Sequence, residues 1–152
     1  EVIHKAQGNY NTALQLLQND SANEEFEELF IDWVRNAFMA KKKPEVLRNI
    51  VLWGRNIASW NREKQKNFLD FCSEMFRLAL LQNYDAEHLV YKRLSKNGFN
   101  WEAFTNFIHG ANIVDILEEI SDADLHLYRN ANAKIVWTDL GIKLTRYIHR
   151  SA

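Results

Sequence analysis

The sequence predicts an all-α fold, a helical bundle. Three observations carry that expectation. Proline occurs once and glycine five times in 152 residues, so few points interrupt regular structure. Alternation of apolar and polar residues, the mark of a half-buried strand, is almost absent. Apolar residues instead recur every three to four positions. They do so most clearly in the last stretch, Arg129 to Arg150, where Val136, Leu140, Leu144 and Ile148 form a row flanked by Ile135 and Trp137. Ile142 and Tyr147 widen this surface beyond one seam, so the closing helix must be covered on more than one side, by its own chain or by a partner.

Taken in order, Val2 to Ala6 reads as a short helical end broken at Gly8. Asn9 is a candidate cap for a helix Tyr10–Gln18, which Asn19 and Asp20 end. Ser21-Ala-Asn-Glu24 has the capping-box spacing. The helix it would open puts Phe26, Phe30, Trp33, Val34, Ala37 and Phe38 on one face. Its acidic start (Glu24, Glu25, Glu27, Glu28) and basic end (Lys41, Lys42, Lys43) complement the helix dipole and read as solvated ends. Pro44 suits a first turn. The next stripe is Leu47, Ile50, Val51, Gly54, Ile57 and Ala58. Gly54 costs that helix ~1 kcal/mol relative to Ala, and close approach of a neighbouring helix is its expected compensation.

Trp60 and Asn61 open a long helix through Gln82, with Phe68, Phe71, Cys72, Met75, Phe76 and Ala79 inward. Tyr84–Ser95 reads as a shorter helix, Asn97-Gly98 as a turn, and Trp101–Ile108 as a short helix broken at Gly110. Asn112 is placed to cap Ile113–Tyr128, and a corner at Arg129-Asn130 leads into the final helix.

Composition narrows the function classes. The chain is one domain long and carries a formal net charge of −1. That argues against a mainly electrostatic nucleic-acid binder. One cysteine, Cys72, leaves no disulfide framework and no cysteine-rich zinc site, and it fits a reducing, cytoplasmic setting. No apolar run is long enough to span a bilayer. Glu1 already lies within a helical pattern, which predicts a piece of a longer protein.

Catalytic motifs are missing. There is no Gly-rich phosphate loop, nucleophile elbow or His-Glu-x-x-His pair. None of the five histidines lies three or four residues from another. Asp122-x-Asp124-x-His126 is the nearest approach to a metal site, yet a helix turns Asp124 away from the other two. Cys72 lies on an apolar face and reads as a packed thiol. Neither a catalytic nor a cofactor residue is expected. Lys143, Arg146, His149 and Arg150 form a basic tail that complements the helix C-terminus; an acidic partner or DNA is the alternative use. Among the five tryptophans, Trp53 and Trp137 sit near stripe edges where a core alone would not cover them. With Tyr147 they are the candidate interface residues, since apolar surface beyond core needs marks contact sites.

Both ends of the chain resemble a known family. Gly8-Asn9-Tyr10-Asn11-Thr12-Ala13-Leu14-Gln15-Leu16-Leu17 resembles the lid-domain stretch Gly-Ser-x-Arg-x-Ala-Leu-x-Leu-Leu of AAA+ clamp-loader subunits. Arg129-Asn130-Ala131-Asn132-Ala133-Lys134-Ile135-Val136 resembles the start of the last collar helix in the delta-prime subunits of bacterial DNA polymerase III. Leu29-Phe30-Ile31-Asp32-Trp33-Val34-Arg35 is similar to that subunit in Bacteroidetes-type bacteria. The resemblance implies that residues 1–19 are the tail of a lid domain and residues 20–152 a collar domain. It implies partners, the sister clamp-loader subunits, with DNA reached indirectly through the complex. The isolated collar, deprived of those partners, would be prone to self-association. ATP-hydrolysing relatives carry an arginine where this chain has Asn11. A neutral amide cannot neutralise phosphate charge as a guanidinium does, so the resemblance points to a subunit that does not hydrolyse ATP.

Overall fold

A computed structural model describes the backbone of residues 10–152 and the side chains from Asn23 onward. It is all-α, with six helices and no strand among the described residues. These are α1 (Tyr10–Met39), α2 (Leu47–Ala58), α3 (Arg62–Asn83), α4 (Trp101–Thr105), α5 (Ile113–Tyr128) and α6 (Ala133–Ile148). The expected end at Val2–Ala6, the break at Gly8 and the cap at Asn9 lie outside the described residues.

The first helix corrects the sequence reading. One helix runs from Tyr10 to Met39, where two were expected with a break at Asn19-Asp20 and a start at Ser21. No glycine or proline occurs between Gly8 and Pro44. Asn, Asp and Ser each disfavour a helix by only about 0.7 kcal/mol or less, too little to stop one already propagating.

The other ends follow local chemistry. Pro44 opens a 3-10 turn, Pro44–Val46, that feeds α2. Asn61 caps α3, its Oδ1 accepting from the Lys64 amide at 2.8 Å. Asn100 and Asn132 cap α4 and α6 in the same way, at 3.0 and 3.3 Å. The corner before α6 is made by Asn130 at φ 61°, a left-handed position that Asn tolerates better than most residues.

A second correction concerns Tyr84–Ser95, expected to be helical. Only a 3-10 turn, Glu87–Leu89, forms there; Val90 is extended and no helical structure resumes before Lys96. Val90 and Leu94 are buried, so their four-residue spacing reflects two anchors to the core rather than a helical face. A segment this short has little helical stability of its own, and tertiary anchoring decides its shape. The Asn97-Gly98 turn is present, with both residues at positive φ.

Helix α6 packs against α1, α2 and α5, and α3 packs against α1, α4 and α5. Val136, Leu140, Leu144 and Ile148 all face the core, as their spacing predicts. Gly54 has the expected role. A Cβ there would stand 3.1 Å from the Thr138 amide nitrogen and 3.3 Å from the Trp137 carbonyl carbon. Gly141 answers it from α6, where a Cβ would lie 2.6 Å from Ile50 Cγ2 and 3.1 Å from Trp53 Cζ3. Two glycines thus set the α2–α6 separation.

Aromatic rings fill the space this crossing encloses. Trp33 and Trp53 stack at 5.0 Å, Trp53 meets Trp137 edge-on at 5.8 Å, and Trp137 stacks on Phe68 at 5.7 Å. Each of the four buried indole N–H groups finds an acceptor: Trp33 the Gly141 carbonyl, Trp53 the Leu29 carbonyl, Trp137 Gln65 Oε1 and Trp101 Gln82 Oε1. Burying an indole without such a partner would cost about 1–3 kcal/mol. Among the described residues no buried side-chain polar atom lacks a partner.

Candidate functional site

The two faces of α6 divide its side chains. The inner face carries Val136, Trp137, Leu140, Gly141, Leu144, Tyr147 and Ile148, all buried. Ile135 and Ile142 lie two turns apart on the opposite side and are 67% and 38% exposed.

This division corrects the expected interface. Trp137 is fully enclosed between Trp53 and Phe68. Trp53 is buried as well, stacked on Trp33. Tyr147 is buried too, and its hydroxyl donates to Glu119 at 3.0 Å. None of the three presents its ring to a partner. Stripe position misleads here because Gly54 and Gly141 bring α2 and α6 so close that the stripe edges are covered. On α2, α5 and α6 the large apolar side chains that do reach solvent are Leu52, then Val114, Leu125 and Tyr128, then Ile135 and Ile142. Their signal was legible: Ile135 and Ile142 fall opposite the Leu140 and Leu144 row.

The basic tail is largely engaged within the domain. Lys143 binds Asp139 at 2.9 Å and Glu119 at 3.0 Å. Hydrogen bonds to those carboxylates, Asp139 foremost, push its pKa up to about 12. Arg150 donates to the Asp115 carboxylate and the Ala111 carbonyl. The His149 ring packs on Phe38, with Nε2 3.3 Å from the Ala37 carbonyl. Arg146 is exposed.

Asn112, expected to cap α5, makes no capping bond. It is fully buried instead. Its Oδ1 accepts from the His109 amide, and its Nδ2 donates to the Phe107 and Tyr147 carbonyls. Beside it, His109 Nδ1 accepts from the Ala111 amide while Nε2 meets the Arg150 carbonyl at 3.0 Å. Together these groups clasp the end of α6 to the 107–112 turn.

No catalytic constellation emerges from the remaining candidates. Asp124 is bound to Lys66 at 3.1 Å, and Asp122 and His126 are exposed. Among the described residues no three metal-ligating side chains converge. Cys72 is enclosed, and burial pushes its thiol pKa up, which disfavours the reactive thiolate. No described helix is long and apolar enough to cross a membrane.

Comparison of the chain with protein-family models, with curated proteins and with solved structures finds no match.

Proposed function

We propose that this chain is a non-catalytic oligomerisation domain, the collar of a clamp-loader subunit of the delta-prime type. In this reading residues 1–19 are the end of its lid. Its work is to hold sister subunits in a cytoplasmic ring that loads a sliding clamp on DNA, and it hydrolyses no ATP itself. The observation that carries the reading is the outer side of α6, where Ile135 and Ile142 stand exposed on a helix whose other side is wholly buried. A helix of this kind offers a rigid contact strip. The resemblance of Arg129–Val136 and of Leu29–Arg35 to delta-prime subunits supports it. So does the all-helical architecture, on which the corner residues of the first motif have clear work: Asn130 turns the chain and Asn132 caps α6.

The alternative, a nucleic-acid-binding domain using the basic tail, is disfavoured because Lys143 and Arg150 are already paired with carboxylates. The test is co-purification of the whole subunit with the ATPase subunits of the same clamp loader. Assembly is expected, and Ile135→Glu with Ile142→Glu is expected to weaken it while leaving helicity intact. Failure of the wild-type protein to assemble would overturn the reading. DNA binding that falls steeply with salt, without such assembly, would favour the alternative.

A further inference from the structure

At the end of α1 distant from its acidic stretch lies an apolar groove of about 400 Å³. Val34, Phe104 and Ile148 form its buried floor. Phe38 and Met39 of α1 make one wall and remain 39% and 43% exposed. Phe99, Ala103 and Phe107 line it from the α4 side, with Phe107 meeting Phe38 edge-on at 4.6 Å. No carboxylate lines it, and its one charged lining residue is Arg35. The Arg35 guanidinium is held in place by the Asn97 carbonyl at 2.9 Å and lies over the Phe99 ring.

Three more cations follow Met39 in the turn that ends α1. The Lys42 and Lys43 amides both bond the Met39 carbonyl, at 3.1 and 2.9 Å, so the Lys41-Lys42-Lys43 run curls within one turn of that wall. All three lysines are exposed, and none pairs with a carboxylate among the described residues. The helix dipole accounts for positive charge here. It does not account for an open apolar groove beside that charge.

We propose that this groove docks a short acidic amphipathic segment of a partner protein. Aromatic or branched apolar side chains would enter between Phe38, Met39 and Phe107, while flanking carboxylates meet Arg35 and Lys41–Lys43. A concave apolar lining with cations at its ends selects for such a segment. Nucleic acid is a poorer fit, because it needs cations spread along a track to match successive phosphates. This reading is independent of ring assembly through α6.

The probe is a fluorescein-labelled twelve-residue peptide with Phe and Leu at helical spacing and Asp or Glu elsewhere, titrated by anisotropy. Saturable binding is expected. It is expected to weaken about tenfold or more in Met39→Glu, where a like charge enters the groove. Triple replacement of Lys41, Lys42 and Lys43 by Ala is expected to weaken it several-fold and to flatten its salt dependence. Circular dichroism confirms that each variant stays folded, and the lysine variant, wholly on the surface, carries the test if Met39→Glu does not. A version of the peptide with Lys in place of every Asp and Glu should not bind. Lack of saturable binding, or binding that survives either change in a folded variant, would overturn the proposal. So would inert peptide alongside binding of a single-stranded oligonucleotide or of anionic phosphatidylglycerol vesicles.

Discussion

The Trp33 indole donates to the Gly141 carbonyl at 3.1 Å, joining α1 to α6 across 108 residues of sequence. Gly141 meets α1 through its oxygen and α2 through its bare Cα, where Ile50 and Trp53 occupy the space of a side chain. One residue thereby seats the closing helix against two others.

Gly141→Ala is therefore expected to destabilise the fold, although Ala is the better helix former by about 1 kcal/mol. The added methyl meets Ile50 Cγ2 at 2.6 Å, and overpacking of this kind costs about 1–3 kcal/mol. Gly54→Ala is expected to act in the same direction, because its closest neighbours are partly α6 backbone, which cannot rotate away. Urea unfolding of both variants measures this. Gain of stability in Gly141→Ala would show that the crossing has slack.

Asn112→Ala should cost about 2–4 kcal/mol. It strands the His109 amide and the Phe107 carbonyl around a side chain with no exposure and leaves the Tyr147 carbonyl only its backbone bonds; each buried unpaired group costs about 1–3 kcal/mol. Asn112→Asp is expected to be at least as damaging, since a carboxylate has no hydrogen to donate to the Phe107 and Tyr147 carbonyls. Hydrogen exchange should report the loss first at the end of α6. Equal protection there in wild type and Asn112→Ala would refute the clasp.

Charge substitution separates core from surface on a single helix. Trp137→Glu places a carboxylate among Trp53, Phe68 and Gln65 and is expected to abolish cooperative unfolding. Ile135→Glu, two residues earlier but 67% exposed, is expected to change stability by less than about 0.5 kcal/mol. Far-ultraviolet circular dichroism with thermal melts distinguishes the two, and a well-folded Trp137→Glu protein would contradict the packing.

Stability should fall in alkali. Lys143 is held protonated by Asp139 and Glu119, its pKa moved from 10.5 to about 12. That contribution is complete below about pH 10.5 and disappears as pH rises through about 12. Tyr147 titrates in the same sense, since burial and its bond to Glu119 favour the neutral phenol in the folded state. Lys143 is a third exposed, so its share is modest. Denaturant midpoints are expected to drop between pH 10 and 12, and to drop less in Lys143→Met. Parallel loss in both proteins would remove the ion pairs as a cause.

Much of the architecture was legible because its causes are local. Asn132 stands just before an apolar-periodic run and caps it, and Asn61 caps the helix it is expected to open. The spacing of Val136, Leu140, Leu144 and Ile148 names the inner side of α6 directly. What proved illegible depends on neighbours distant in sequence. Val90 and Leu94 share a helical interval yet lie on a non-helical segment, because the core takes up each one separately. Asn112 has the residue type and place of a cap, but its Oδ1 accepts from the His109 amide behind it while its Nδ2 donates to the Tyr147 carbonyl, 35 residues away.

The helical class and most helix starts are readable from the residues alone, and Gly54 marks a point on α2 where close approach of another helix is expected. Capping, periodicity and the missing side chain of glycine are properties of a few adjacent residues. Long-range packing puts Trp53, Trp137 and Tyr147 in the core and leaves Ile135, Ile142, Phe38 and Met39 facing outward. A stripe edge has no fixed environment of its own. Whether it is covered depends on how near the next helix comes, and here Gly54 and Gly141 together set that distance.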